Sequence, residues 1–153
     1  MPSIIDLERS CASAAHWSLQ QYREMLEPGN GDPQRVVLVS DESPEELSLP
    51  GQEINPARLL GFLVARHVSP EWELENIVVA TAAHRTGLGT LLLHALLSAA
   101  RATNSESVFL EVRESNTAAR SLYERVGFRM SGQRKSYYAN PREDAILYRL
   151  SLS

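Results

Sequence analysis

The stretch HRTGLGTLLLHALL, His84–Leu97, marks the change from a strand to a helix. Before it, EWELENIVVA (Glu71–Ala80) ends in apolar and β-branched residues, which are typical of a buried strand. From Leu88 onward, apolar residues recur at spacings of three and four, indicating an amphipathic helix that ends near Thr103. Alternating apolar residues in SVFLEVR (Ser107–Arg113) predict another strand. A strand, a helix and a strand form a βαβ unit, so we expect the two strands to run parallel.

Two helices and two strands are predicted ahead of this unit. Apolar spacing from Ile5 to Leu26 predicts two short helices, with a break near His16 and Trp17 and Ser18 as the N-cap of the second. RVVLVS (35–40) and LLGFLVARHV (59–68) read as strands that pair antiparallel. The segment 41–58 between them is rich in acids and prolines and predicts a long solvated loop.

The remainder of the chain predicts a helix and two strands. SNTAARSLYERVGF reads as a helix that begins at Ser115 or Asn116 and stops at Gly127 in a left-handed conformation. FRMSGQRKSYY (128–138) and EDAILYRLSL (143–152) read as the last strands. The fold class is therefore α/β with a mixed sheet.

Length and composition limit the classes of function. The 153 residues, 43% of them apolar, fit one domain spanning 1–153. Acidic residues outnumber basic ones by 19 to 15, which argues against direct binding of nucleic acid and favours a cationic substrate. Cys11 is the only cysteine, so an internal disulfide is excluded. Since no apolar run approaches the roughly 20 residues of a membrane span, we expect a cytoplasmic protein with no membrane partner.

Gly87 and Gly89 stand at the predicted start of a helix. Backbone N–H groups at such a position are unpaired and form an anion site, and glycine lets a phosphate approach closely. A tight turn with nothing bound explains the same pattern. The motif GxxxxGK[ST] is absent, and Leu92 occupies the place of the third glycine of a dinucleotide fingerprint, so both of those nucleotide-binding motifs are excluded.

Three segments together resemble the GNAT superfamily of acyl-CoA-dependent N-acetyltransferases. They are NIVVATAAHRTGLGTLLL, LEVRESNTAARSLYERVGF and RKSYYANPREDAILYRL. They are most similar to its RimI type, the ribosomal-protein-alanine N-acetyltransferases. The resemblance implies a mixed, mostly antiparallel central sheet flanked by helices, with one parallel strand pair around an acetyl-CoA cleft. It implies acetyl-CoA as cosubstrate and the N-terminal alanine of a small-subunit ribosomal protein as acceptor.

The resemblance assigns the two catalytic roles. An α-ammonium with a pKa of about 8 must lose a proton before it attacks a thioester. Glu111 falls on the family's proton acceptor, and partial desolvation among its apolar neighbours would make it a stronger base. Tyr123 falls on the proton donor for the departing thiolate. Taken alone, Glu111 reads as a solvent-facing strand residue and Tyr123 as a packing residue.

The resemblance also assigns the residues that hold CoA. The backbone of one strand pairs with the pantetheine arm, a loop and helix start cradle the pyrophosphate, and an asparagine that also caps a helix contacts CoA. In chain order these are Ile77, Val78, Val79, Arg85, Thr86, Gly87, Leu88, Gly89, Thr90 and Asn116. His84 departs from the family, which has Gln or Arg at the first position of the pyrophosphate motif, and we expect it to modulate affinity.

Two further departures from the family pattern lie ahead of the predicted cofactor strand. We expect the edge strand that usually precedes the first helix to be truncated or absent. The acidic loop 41–53 is longer than usual, either as an insertion or as a flap that faces the substrate. Glu71, Glu73 and Glu75 share one face of a strand. They are either a solvated face or an attractor for a basic protein N-terminus. The tyrosines of YYANPRED (137–144) either line the peptide site or pack.

Other readings stay open at this point. The same scaffold would suit acetylation of a small-molecule amine or a lysine side chain, or a CoA-binding domain without catalysis. The four histidines lack metal-ligand spacing with one another or with Cys11, so no metal is assigned. Sequence does not decide the oligomeric state.

Overall fold

The computed structural model describes residues 2–11, 17–26, 35–40, 47–48 and 59–153. Within these ranges the predicted elements are found, most with their ends moved by one or two residues. The helices are α1 (Pro2–Ser10), α2 (Leu19–Leu26), α3 (Leu88–Ala102) and α4 (Thr117–Val126), with a 3₁₀ turn at Thr81–Ala83. The strands are β1 (Arg35–Ser40), β2 (Leu47–Ser48), β3 (Gly61–Val68), β4 (Glu71–Val79), β5 (Ser107–Arg113), β6 (Arg129–Tyr138) and β7 (Glu143–Ser151).

Two sequence predictions fall largely outside the described residues. The acidic loop 41–58 does so except for 47–48, which form the unpredicted strand β2 against β1. The predicted helix break at His16 is the other, although Trp17 is described. Ser18 does cap α2: its hydroxyl accepts from the Gln21 N–H at 3.2 Å, and the Gln21 side chain accepts from the Ser18 N–H at 2.7 Å. This reciprocal pair is a capping box.

The described strands form one mixed sheet in the order β2-β1-β3-β4-β5-β7-β6. All neighbouring pairs run antiparallel except β4 and β5, which are parallel and are joined through α3. The predicted βαβ unit and its mostly antiparallel surroundings are therefore confirmed.

Each face of the sheet has its own apolar core. On one face α3 inserts six buried side chains, Leu88, Leu92, Leu93, Leu96, Leu97 and Ala100. On the other, Ile4 and Ile5 of α1 and Tyr22 of α2 pack on Phe62, Val64 and Val78. The sheet is covered on both sides, which explains the nearly continuous apolar run in β3.

A bulge in β4 decides which residues face which core. Ala65 of β3 pairs with Leu74 and Val64 pairs with Asn76, so Glu75 has no partner on β3. Leu74 consequently packs in the α3 core, whereas Asn76 contacts the α1 and α2 side. An inserted residue re-aims the strand in this way because side chains alternate along it.

The bulge lies where β4 and β5 part. Their parallel pairing runs from Glu71 opposite Ser107 to Leu74 opposite Leu110 and then stops. Both strands continue, β4 to Val79 and β5 to Arg113. The gap between the unpaired parts of these two strands opens a cleft.

Two classes of feature are absent from the described part of the chain. None of its helices combines the length and the apolar character needed to cross a bilayer. Among the same residues, no three His, Cys, Asp or Glu side chains are arranged to hold a metal ion.

Candidate active site

The cleft between the parting strands has a volume of about 790 Å³. It brings together four of the residues predicted from sequence, Ile77, Glu111, Asn116 and Tyr123. Ile77 comes from β4, Glu111 from β5, and the other two from the start and middle of α4. Residues that are 46 positions apart in the chain thus share one space because β4 and β5 are neighbours.

Glu111 presents its carboxylate to the cleft from β5. Its side chain is 22% exposed, and Oε1 lies 3.0 Å from Nε of Arg134 on β6. A hydrogen bond to Glu111 is the main cause of the raised pKa of Tyr137, with the negative charge of Glu111 second. Glu111 is therefore half-buried as expected, but its neighbours include a cation and a phenol as well as apolar side chains.

Tyr123 is 5% exposed and lines the same cleft from α4. Burial raises the pKa of its phenol, and the neighbouring Tyr138 raises it further. The ring packs edge-on to Phe128, at 5.9 Å between centroids, and tilted against Tyr148, at 6.2 Å. Tyr123 is thus held in place through its ring, and its hydroxyl stays protonated at neutral pH, as a proton donor requires.

The loop that joins β6 and β7 closes one side of the cleft. Arg113, at the end of β5, donates to the carbonyls of Ala139 and Pro141 at 3.3 and 3.2 Å. Its guanidinium lies 4.4 Å from the ring centre of Tyr138. Tyr137 and Tyr138 both line the cleft. Of the two readings of the YYANPRED segment, lining the site is the one that this arrangement favours.

The first turn of α3 leaves backbone donors available. Gly87 is the N-cap, with φ of 83° and no side-chain cap. The first main-chain hydrogen bond of the helix runs from the Leu91 N–H to the Gly87 carbonyl. The N–H groups of residues 88–90 therefore have no partner within the helix. Together with the helix dipole, these free donors have the chemistry that suits an anion.

The two glycines are required for different reasons. Gly87 has the left-handed φ that other residues rarely adopt, and a Cβ built there meets nothing within 4 Å. A Cβ at Gly89 would come within 2.9 Å of a Leu122 methyl, so Gly89 lets α4 approach α3 closely. Only Gly87 is explained by the shape of the loop itself.

The other predicted loop residues lie at the start of α3 rather than in the wall of the cleft. Arg85 is exposed with φ of 63°, and the Thr86 hydroxyl donates to the Ala83 carbonyl at 2.5 Å. The Leu88 side chain is 2% exposed in the α3 core, and Thr90 is half-buried. Leu88 and Gly89 can thus contribute only their N–H groups to an anion.

His84 has a contact of its own. Nε2 lies 3.0 Å from the carbonyl oxygen of Val79, the last residue of β4. Because a carbonyl only accepts, Nε2 carries the proton. His84 thus ties the glycine loop to the cleft strand, a role that its residue type alone did not indicate.

The β4 backbone beyond the bulge has one unpaired edge. Ile77, Val78 and Val79 pair with β3 on one side, and no pairing with β5 is found for them on the other. The Val78 side chain is 1% exposed and faces the α1 and α2 core. These three residues therefore offer main-chain groups, as a strand edge does to an extended ligand.

Asn116 has the capping role that sequence predicted. Its side-chain oxygen accepts from the Ala119 N–H at 3.2 Å and begins α4, while Gly127 ends the helix with φ of 119°. Asn116 also lines the cleft.

Glu71, Glu73 and Glu75 are each matched by an arginine. Arg149 pairs with Glu71, Arg66 lies 2.9 Å from Glu73, and Arg35 binds both oxygens of Glu75 at 2.6 and 2.7 Å. The three arginines come from β7, β3 and β1. Because they lie outside β4, the alternation within β4 predicted the shared face of the acids but not their partners. This face carries less net negative charge than the sequence indicated.

A buried polar cluster behind the cleft was not predicted. Glu8, 1% exposed, accepts through Oε1 from the Tyr22 hydroxyl at 2.7 Å, the Asn76 amide at 2.9 Å and the Trp17 N–H at 3.2 Å. Asn76 and Trp17 line the cleft. One signal existed in the sequence: Glu8 lies three and four residues after Ile5 and Ile4 and so shares their buried helix face.

Comparison of the sequence and the fold with known proteins identifies related acetyltransferases. The model of the acetyltransferase (GNAT) family matches residues 2–128. The [ribosomal protein bS18]-alanine N-acetyltransferase of Haemophilus influenzae is 31% identical over 148 residues, which cover 95% of this chain and 96% of that protein. The enzyme of the same name from Salmonella typhimurium is 39% identical over 98 residues, which cover 63% of this chain and 66% of that protein. The crystal structure of the ribosomal-protein-S18-alanine N-acetyltransferase from Escherichia coli superposes with a TM-score of 0.74 at 29% identity, covering 99% of this chain and 87% of that one.

Proposed function

Because the chain belongs to the GNAT family of acetyltransferases, which use acetyl-CoA, we propose that it acetylates the N-terminal α-amino group of a protein. The favoured acceptor is the N-terminal alanine of a small-subunit ribosomal protein, since relatives that match 95% and 63% of the chain are named for that activity. The observation that carries the proposal is that Glu111 and Tyr123 line one cleft. The uncapped start of α3 packs against Leu122 of α4, the helix that carries Tyr123.

The residues present fit acetyl-CoA. The N–H groups at the start of α3 suit a pyrophosphate, and Arg85 adds a cation beside them. The unpaired edge of β4 at Ile77–Val79 suits the pantetheine arm, with Asn116 across the cleft. Acetyl-CoA supplies an acyl group that is activated as a thioester. The protein needs to hold it and to manage two protons.

Glu111 acts as the general base and Tyr123 as the general acid. Glu111 accepts a proton from the substrate ammonium, directly or through water, and the amine then attacks the thioester carbonyl. After the new C–N bond has formed, the C–S bond breaks and Tyr123 donates its phenolic proton to the sulfur. The second proton that the nitrogen loses on becoming an amide returns to the Tyr123 phenolate, directly or through water, and Glu111 releases its proton to solvent. No covalent bond to the enzyme is formed, and Cys11, which follows α1 and does not line the cleft, takes no part.

The test is an incubation with acetyl-CoA and a peptide that begins Ala-Arg and contains one internal lysine. Mass spectrometry of fragments locates the acetyl group. Product on the α-amine supports the proposal, whereas product on the lysine favours a lysine acetyltransferase. Binding of CoA without any turnover favours a non-catalytic CoA-binding domain. The same peptide with a blocked N-terminus is the control for lysine reactivity.

A further inference from the structure

Arg134 sits on the carboxylate that the proposed reaction needs. Its Nε lies 3.0 Å from Oε1 of Glu111, and its side chain is 57% exposed, against 22% for Glu111. Arg134 belongs to β6, which ends the described sheet and pairs only with β7. The guanidinium therefore approaches Glu111 from the solvent side and has room to move away from it.

The register of the sheet explains how Arg134 reaches Glu111. Glu111 is opposite Leu147 of β7, which is opposite Gly132 of β6. Arg134, two residues after Gly132, is opposite Ala145 and thus projects from the same face of the sheet. With no side chain at Gly132 and a methyl at Ala145, the arginine can cross β7 diagonally to Glu111.

The strand irregularity that follows adds a second contact. After Arg134, the next residue of β6 to pair with β7 is Tyr138, opposite Glu143. Within this irregular stretch Ser136 has φ of 52°, and Tyr137 contacts both Glu111 and Arg134. The guanidinium carbon is 5.7 Å from the ring centre of Tyr137, which is 52% exposed. Arg134 is held by one carboxylate and one exposed ring.

Other charged groups near Glu111 are already engaged. Arg113 pairs with Glu143 and binds the β6–β7 loop carbonyls, and Glu73 on β4 pairs with Arg66. Tyr137 and Tyr138 are neutral, since their pKa values are raised. Arg134 is thus the one cation with a described ion pair to Glu111.

We propose that Arg134 is a resident cation that occupies Glu111 in the free enzyme and is displaced by the ammonium group of the acceptor. This inference rests on the proposed function. An acceptor amine and a guanidinium both donate hydrogen bonds to a carboxylate and both carry one positive charge, so they compete for Oε1. An acceptor without a positive charge does not compete with Arg134 for Glu111. Arg134 therefore weakens the binding of charged amines and leaves the binding of acceptors without an amine unchanged.

The expected effect is small and specific to charge. An exposed ion pair of this kind changes an equilibrium by about fivefold at most. Replacing Arg134 should therefore tighten binding of a free-amine acceptor by about three- to fivefold. It should not change binding of an acceptor that has no amine to place on Glu111. The gain should shrink as salt is raised, because screening weakens the pair that was removed.

Arg134→Gln and Lys135→Gln make a matched pair of variants. Both are exposed and adjacent on β6, and both substitutions remove one positive charge, but Lys135 acts on Asp144 rather than on Glu111. With CoA bound, calorimetry measures the affinity for the Ala-Arg peptide and for its des-amino analogue, in which propionyl replaces alanine. We expect Arg134→Gln to tighten only the free-amine peptide, and Arg134→Lys to restore wild-type affinity. Thermal unfolding confirms that the variants are folded.

Three results would overturn the inference. They are equal affinities in the two Gln variants, an equal gain for both peptides, and weaker binding in Arg134→Gln, which would make Arg134 a contact for the acceptor. Each is distinct from a failure of the proposed function. If wild-type protein gives no α-acetyl product from the Ala-Arg peptide, the proposed function fails and the inference falls with it. If product forms but one of the three results is obtained, only the inference fails.

Discussion

Replacing Tyr123 with Phe separates its proposed chemistry from its packing. The two rings have the same shape, so contacts with Phe128 and Tyr148 at 5.9 and 6.2 Å are preserved. Within the described part of the chain, the Tyr123 hydroxyl has no protein hydrogen bond that the substitution would break. We therefore expect the free energy of unfolding to change by less than about 1 kcal/mol.

Turnover should fall far more than stability. Loss of a general acid costs about 100-fold or more in rate, and 100-fold corresponds to about 2.7 kcal/mol of transition-state free energy. Steady-state kinetics with saturating acetyl-CoA measure kcat, and calorimetry measures the affinity for CoA, which should change less than about twofold. Because burial raises the pKa of Tyr123, its ionisation should not lower wild-type activity below about pH 10.

Tyr148→Phe is the matched control. Tyr148 is 1% exposed next to Tyr123, does not line the cleft, and donates to Glu124 at 2.6 Å. Removing that bond to a charged acceptor should cost about 1.5–3 kcal/mol of stability, with kcat largely retained. If Tyr123→Phe lowers kcat by only a few-fold, or lowers kcat and CoA affinity equally, the assignment of Tyr123 as the acid is refuted.

Three further substitutions test other parts of the structure. Gly87→Ala places a side chain at φ of 83° and should cost about 1–2 kcal/mol in urea unfolding while weakening CoA binding, since the left-handed turn aims the first N–H groups of α3. Tyr22→Phe removes a buried hydrogen bond to Glu8 and should lower Tm by about 5 °C or more. Burial is the main cause that raises the pKa of Tyr22 above its ordinary 10.0, and the hydrogen bond to Glu8 is the second. The stability that the neutral phenol contributes is therefore present below pH 10 and is lost as the pH rises above it. Tyr22→Phe should flatten this alkaline decline of the unfolding free energy. Glu75→Gln removes the carboxylate to which Arg35 donates two hydrogen bonds and should cost about 2 kcal/mol, and an unchanged urea midpoint would contradict this.

The sequence was sufficient to predict a helix or strand whose own residues carry the pattern that defines it. The helix over Leu88–Ala102 has its apolar stripe, Asn116 and Gly127 sit at the two ends of α4, and the alternation of Ser107–Arg113 gives β5 to the residue. The family resemblance then placed Glu111 and Tyr123, which the structure brings into one cleft.

The sequence was insufficient to predict ion pairs between residues on strands that are distant along the chain. Arg134 and Glu111 are on strands separated by β7, and neither residue shows in its own segment that it has a partner. The same is true of Arg35 and Glu75, 40 residues apart. Such pairs depend on the register, and register depends on bulges that leave no strong signal in composition.

The bulge at Glu75 links the fold to the site. A regular β4 would send Leu74, Asn76 and Val78 to one face, and the α3 core would then receive a buried amide. With one residue inserted, Leu74 stays in the α3 core, while Asn76 turns to Glu8 and Val78 joins the opposite core. The same insertion coincides with the end of pairing to β5, so the edge of β4 that would meet an extended ligand is left open. Glu8 stabilises the strand at this point from behind, because its carboxylate binds both Asn76 and the Trp17 N–H at the wall of the cleft. The buried carboxylate of Glu8 therefore supports the cleft through β4, and its removal should disturb the part of the cleft lined by Trp17 and Asn76 before it disturbs the start of α3.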